Sequence, residues 1–142
     1  MNRFDLRRLA EERLADAKVL LEAERWTAAY YLSGYSLECG LKACLLVYLD
    51  KTGKIFEDRG YLRSLADCWT HDLERLIGLA GLKQDHGNQI GLNSSFRNNW
   101  SIAKDWKETS RYDEITKEKA EGLFKAIADV PDGVYQWIQR YW

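Results

Sequence analysis

The chain has 142 residues with a single proline and 46% apolar content, which is enough to bury one hydrophobic core without disulfide or metal support. Its net charge of −1 and sequence pI near 6.1 exclude a protein whose main task is to coat nucleic acid, since that task needs a large surplus of Lys and Arg. No apolar run is long enough to span a bilayer and the first residues do not resemble a signal peptide, so we expect a cytoplasmic protein.

The first third of the chain is predicted to form two long helices. Apolar residues recur at spacings of three and four from Asp5 to about Ala23, which predicts an amphipathic first helix. The second helix is predicted from near Thr27, a suitable N-cap, to about Asp50. Because the loop between them is short, we expect the two helices to be antiparallel neighbours.

The second predicted helix is patterned on all of its sides. One stripe is apolar, comprising Tyr30, Leu37, Leu41, Cys44 and Tyr48. A second stripe has small side chains, namely Ser33, Ser36, Gly40 and Ala43. The remaining side carries Tyr31, Tyr35, Glu38 and Lys42. A surface helix has one buried stripe, so this pattern predicts a central helix with neighbours on most sides, and the small stripe predicts close packing within the chain.

The middle of the chain is less regular. Residues 55–69 are predicted as a loop with a short turn of helix. A third helix is predicted after Thr70, which can cap it, and Gly81 should stop it. Residues 83–95 are polar and contain glycine, which predicts an exposed loop.

Two further helices are predicted towards the C-terminus. The fourth is capped by Asn93 or Ser94 and extends through Trp106. The last begins near Thr116, and Pro131 should kink or break it because proline clashes with the preceding helical turn. We therefore expect an all-α, antiparallel bundle of about five helices, with residues 1–142 forming one domain.

Residues 28–43 read Ala-x-Tyr-Tyr-Leu-Ser-Gly-Tyr-x-x-Glu-Cys-x-Leu-Lys-Ala, and this pattern resembles the second helix of HEPN-domain proteins. Two later segments are similar to the same family, His71-Asp72-Leu73 at a helix start and Ser110-Arg111-Tyr112 after Trp106. The resemblance implies a small helical bundle that is usually dimeric. It also implies a prokaryotic ribonuclease toxin, a partner of a minimal nucleotidyltransferase, or a non-catalytic binding module.

Catalytic members of that family resemble one another in an arginine followed by a histidine after four to six intervening residues. Arg97 is the best-placed arginine here, but the positions that follow at this spacing are Ile102, Ala103 and Lys104. Lys104 could stabilise negative charge, yet an amine whose unperturbed pKa is about 10.4 is a poor general acid–base at neutral pH. The usual ribonuclease motif is therefore incomplete, and Arg97 and Lys104 are candidates only for an atypical site.

The candidate ligand-binding residues combine aromatic rings with charges. Tyr31, Tyr35, Glu38 and Lys42 could face a groove shared with Arg97 and Arg111, which would suit a nucleotide or an RNA loop. The same tyrosines could instead pack against a dimer mate. Arg111, flanked by Trp106 and Tyr112, could stack on a base or bind a phosphate.

Some of these residues have simpler structural interpretations. Arg111 could bridge helices by pairing with Glu38, or Glu38 and Lys42 could satisfy each other at a spacing of four. His71 and Asp72 could be a helix-capping pair, although the family resemblance gives His71 a possible role in shaping the site. With only two histidines in the chain, we expect no metal site and no cofactor.

Three functions remain open at this point. The favoured one is a binding or regulatory module that engages a nucleotide, an RNA or a partner such as a minimal nucleotidyltransferase, as in toxin–antitoxin or defence systems. The alternatives are a metal-independent endoribonuclease with an atypical site, and a purely structural protein-interaction module. The resemblance and the high aromatic content both favour a homodimer.

Overall fold

The structure is a computed structural model that describes the backbone of residues 1–142 and all side chains except those of residues 54 and 55. Within this described backbone the chain is all α-helical and contains no β-strand. The α-helices are α1 Arg3–Glu22, α2 Trp26–Thr52, α3 Lys54–Glu57, α4 Arg59–Leu65, α5 Leu73–Leu79, α6 Lys83–Leu92, α7 Ser94–Ala103, α8 Lys117–Ala128 and α9 Val134–Gln139. Short 3-10 helices span Ala66–Trp69 and Glu108–Tyr112.

The first two helices form the predicted antiparallel hairpin. Asn2 and Asp5 cap α1 reciprocally, since each side chain accepts a hydrogen bond from the other's backbone N–H. Thr27 does not cap α2, because the N-cap position is taken by Arg25. Its hydroxyl donates instead to the Asp113 carbonyl at 3.1 Å and accepts from the Ile115 N–H at 3.3 Å. Thr27 therefore ties the start of α2 to the segment that precedes α8.

Helix α2 is the central helix, as its three-sided pattern predicts. It packs against α1, α5, α8, α9 and the second 3-10 helix, and buried residues run along its length. The small stripe packs within the chain, since a Cβ on Gly40 would lie 3.2 Å from Ile138 Cγ2. The closest approach is at Gly34, which lies outside that stripe: a Cβ there would be 2.2 Å from the ring of Trp106.

The prediction that residues 83–95 form an exposed loop is wrong, because residues 83–92 are α6. This helix buries His86 alone among its residues, so the sequence has too little apolar periodicity to reveal it. The His86 ring lies edge-on to Trp100, with centroids 4.4 Å apart, and also contacts Phe96 and Trp137. Residues 55–69 are also more helical than predicted, since they include α4, which buries no residue completely.

The helix ends explain most of the remaining differences from the predicted five helices. Asp72, not Thr70, caps α5, whereas Asn93 caps α7 as predicted. Helix α8 begins near Thr116 as predicted, and Thr116 caps it. Helix α7 ends at Ala103, before Trp106. Pro131 breaks the last helix into α8 and α9, with a cis Val130–Pro131 bond between them. The core lies where α2, α5, α7, α8 and α9 meet.

Candidate functional site

A buried carboxylate on α2 is the most unusual charged group in the described part of the chain. Glu38 is 2% exposed, and Lys42 Nζ lies 2.7 Å from its Oε1. His71, just before α5, places Nδ1 3.0 Å from both carboxylate oxygens. Burying a charge is unfavourable unless it is paired and hydrogen-bonded, so these two partners are what allow Glu38 to sit inside the bundle.

The pairing settles two alternatives that the sequence leaves open. Glu38 and Lys42 do satisfy each other, whereas the expected Arg111–Glu38 bridge is wrong. Arg111 Nη1 instead lies 3.0 Å from Glu108 Oε1, three residues back on the same 3-10 helix. Its guanidinium lies 4.9 Å from the Tyr112 ring centroid and 6.0 Å from that of Tyr31. Arg111 thus joins an aromatic surface rather than the buried charge.

His71 and Asp72 have separate roles, so the interpretation of both as a capping pair holds only for the aspartate. Asp72 Oδ1 accepts a hydrogen bond from the Arg75 N–H at 3.2 Å, which caps α5. His71 is bound to Glu38 on one side and its side chain is 48% exposed. Because one ring nitrogen is held by the carboxylate, the imidazole is fixed in orientation while part of it faces the outside.

His71 lines a cavity of about 380 Å³ between the start of α5 and the segment that follows α7. Its walls are formed by His71, Asp72, Leu73, Glu74, Lys104, Trp106, Lys107, Glu108 and Thr109. We call this cavity the His71 cleft. Two ammonium groups, of Lys104 and Lys107, face three carboxylates here, so the cleft is close to charge balance and is not a basic patch.

Trp106, on the inner wall of the cleft, lies next to aromatic side chains of α2. Trp106 is 3% exposed and packs over Gly34, and its indole N–H is buried without a hydrogen-bond partner among the described residues. Its ring lies 6.1 Å from that of Tyr31, which stacks on Tyr35 at 5.9 Å with planes only 7° apart. Burial, with Cys39 nearby, raises the pKa of Tyr35 to about 12, so its hydroxyl stays protonated at neutral pH.

Arg97 lies apart from this arrangement. Its side chain is on the exposed side of α7, and Nη1 donates to the Ile90 carbonyl of α6 at 3.2 Å. Among the described residues, those that line the His71 cleft include Lys104 but not Arg97. The structure therefore brings Lys104 and His71 to one cavity and leaves Arg97 with the α6–α7 pair.

Sequence reasoning missed the pairing of His71 with Glu38 and the parts that Glu74 and Thr109 play in the cleft. The only signal for the pair is that a carboxylate on a surrounded helix needs a partner. No short-range pattern joins residues that are 33 positions apart. The close contact of Trp106 with Gly34 is equally non-local, although a glycine inside a helix often marks a close approach.

Comparison with known protein families gives a match for the first part of the chain. A family model of the HEPN domain matches residues 5–67. Over these residues the chain is similar to a HEPN domain. The match includes most of α1 and all of α2 and α4, and therefore Glu38 and Lys42, whereas His71 and Lys104 lie beyond it. Comparisons with curated proteins and with solved structures gave no match.

No group of three or more His, Cys, Asp and Glu side chains in the described part of the chain is placed to hold a metal ion. Over the same residues, every helix is too short or too polar to cross a lipid bilayer.

Proposed function

We propose that this chain, which is similar to a HEPN domain over residues 5–67, is a non-catalytic binding module that holds a nucleotide, or an unpaired segment of RNA, in the His71 cleft. The observation that carries the proposal is the buried Glu38, which fixes His71 at the edge of a cavity also lined by Trp106. A buried charge fixes side-chain geometry more firmly than core packing requires. HEPN domains have nucleotide- and RNA-related roles, which agrees with a ligand of this class.

The arrangement favours stacking over long-range attraction. Arg111 and Tyr112 present a guanidinium on an aromatic ring next to Glu108 of the cleft, and such pairs stack on bases. Lys104 and Lys107 can each bind a phosphate oxygen. Because carboxylates balance these two ammonium groups, the cleft suits one or a few nucleotides better than the backbone of a long duplex.

A second candidate, an atypical metal-independent ribonuclease, is favoured by one specific observation. A carboxylate that orients an imidazole is a common arrangement in general acid–base catalysis, and His71 shares its cavity with Lys104. Against it, the arginine of the usual motif is absent from the cleft-lining residues, because Arg97 is bound to the Ile90 carbonyl. We therefore rank this candidate second.

The proposal also includes binding of this chain to a second copy of itself and to a partner protein. HEPN domains often dimerise, and we propose that this chain forms a homodimer. Three exposed apolar side chains, Phe56, Leu62 and Trp69, lie in the segment between α2 and α5 and are 91%, 49% and 83% exposed. A minimal nucleotidyltransferase partner, within a cytoplasmic toxin–antitoxin or defence system, remains part of the proposal and is tested by co-purification of the two proteins.

The binding test uses a fluorescein-labelled, single-stranded RNA of about 8 nucleotides, a length typical for one compact domain. We expect wild type to raise its anisotropy without added metal. Lys104→Ala/Arg111→Ala should bind about 10-fold more weakly, because it removes one phosphate contact and one stacking contact, a loss of about 1.4 kcal/mol. The matched control is Arg8→Ala/Lys117→Ala, which removes the same charge from exposed positions that do not line the cleft.

The same samples, run on a denaturing gel, separate the three functions. Intact RNA together with cleft-dependent binding supports the module. Cleavage by wild type that disappears in His71→Ala establishes the ribonuclease instead. Equal anisotropy changes for the cleft variant and the control refute binding in the cleft, and leave protein association as the function to test.

A further inference from the structure

A second cavity, of about 290 Å³, lies beside the C-terminal end of α2. The start of α1, the connection between α5 and α6, and the residues after α9 complete its walls. We call it the basic cavity, after three of its lining residues, Arg3, Lys51 and Arg140. It shares no lining residue with the His71 cleft.

The basic cavity differs from the cleft in its charge. Its described walls contain no Asp or Glu. Among the described side chains, no carboxylate lies within ion-pair distance of Arg3, Lys51 or Arg140. Some arginines elsewhere, such as Arg13 and Arg75, are paired with carboxylates. Positive groups along a concave wall create a local field that attracts anions.

Three aromatic side chains, those of Tyr48, Tyr141 and Trp142, also line the cavity, and neighbouring residues pack against them. A Cβ on Gly81 would lie 2.4 Å from the ring of Tyr48, so the positive φ of +70° at this glycine allows the α5–α6 turn to pack directly on that ring. Trp142 lies edge-on to Tyr135, with ring centroids 5.5 Å apart. The cavity is therefore preorganised, which reduces the ordering cost of binding.

Tyr141 also lines this cavity. Burial raises its pKa, and the negative charge of Asp85, which does not line the cavity, raises it further. At neutral pH the phenol is therefore protonated and can donate to an anionic oxygen.

We propose that the basic cavity binds the phosphate group of a small phosphate monoester, with a planar ring of the same ligand packed on Tyr141 or Trp142. A dianionic phosphate matches three cationic side chains better than a carboxylate, which carries one charge. The volume is at the lower end for small-molecule sites, so a ligand of mononucleotide size fits and a nucleic-acid helix does not. This site goes beyond the cleft proposed above.

The test is an NMR titration of the full chain with AMP, inorganic phosphate and adenosine, each followed through the indole N–H signals of Trp142 and Trp106. Replacement of each tryptophan by phenylalanine assigns these signals. We expect AMP to shift the Trp142 signal with higher affinity than phosphate, and adenosine to leave that signal unchanged at the same concentrations. Lys51→Gln/Arg140→Gln should weaken the AMP effect at least 10-fold.

The matched control is Arg8→Gln/Lys117→Gln, which makes the same change in net charge at exposed positions outside the cavity. It should bind AMP as wild type does, and thermal melts of both double variants should coincide with that of wild type. Equal AMP affinity in the two double variants would overturn the proposal, as would an unmoved Trp142 signal. If AMP shifts only Trp106, the basic cavity is refuted while the His71 cleft stands; the reverse pattern supports the basic cavity and counts against the cleft.

Discussion

Gly34→Ala should destabilise the protein through the contact between α2 and Trp106. The added Cβ would lie 2.2 to 2.3 Å from three atoms of the Trp106 ring, and that ring is only 3% exposed. Since no van der Waals contact is that short, either the indole must move or the helices must separate, which typically costs about 1–3 kcal/mol. Alanine recovers about 1 kcal/mol through its higher helix propensity. We therefore expect a net loss of up to about 2 kcal/mol in the free energy of unfolding.

The assay is urea denaturation followed by far-UV circular dichroism, with Gly122→Ala as the matched control. Gly122 lies inside α8, and a Cβ there would meet no atom within 4 Å, so the same substitution should stabilise by about 0.5–1 kcal/mol. Gly34→Ala should also shift the Trp106 indole signal. A Gly34→Ala protein as stable as Gly122→Ala would show that Trp106 does not pack against α2 as described.

Three further predictions concern titratable groups. Glu38→Ala should lower the free energy of unfolding by about 2 kcal/mol in urea melts, because it removes charge-assisted hydrogen bonds and leaves their donors unpaired. An unchanged urea midpoint would contradict the pairing of Glu38 with Lys42 and His71. Burial lowers the pKa of His86 below 6.5, so the unfolded chain binds a proton at this residue more readily than the folded chain does. The free energy of unfolding should therefore fall as the pH drops below about 6.5, and His86→Phe should flatten the dependence of Tm on pH between about 7.5 and 5. Thiol titration with Ellman's reagent at pH 8 should find one accessible cysteine, Cys68, in the native protein and all three in denaturant, because burial raises the pKa to about 11 at Cys39 and about 12 at Cys44.

The parts of the fold that could be predicted from the sequence are those that local periodicity and capping determine. The bounds of α1 and α2 differ from prediction by only a few residues, Asn93 caps α7 as expected, and α8 begins near Thr116 as expected. Helix α6 was missed for the opposite reason. Its stability depends on one buried histidine that packs on aromatic rings of α7 and α9, and such a contact leaves no repeating pattern in the helix itself.

The candidate site was predictable only in its α2 half. The spacing of Glu38 and Lys42 suggests their pair directly, since residues four apart face each other on a helix. The partner of Arg111 was missed although it lies three residues away, a spacing at which helical side chains also meet. The 3-10 helix after α7 places Glu108 within reach of Arg111, whereas the sequence interpretation paired Arg111 with the buried Glu38.

The composition of the His71 cleft bears on how its ligand would be selected. The HEPN match ends at residue 67 and includes α2, whose buried Glu38 holds His71 in place. Every residue that lines the cleft lies after residue 67, outside the match. Changes at Glu38 or Lys42 should therefore alter the position of His71 and affect any ligand of the cleft. Changes at Lys107 or Thr109, whose side chains are exposed and support no buried group, should alter which ligand binds and leave the fold unchanged. A comparison of affinities for AMP and for short RNA across these two sets of variants separates positioning from selection.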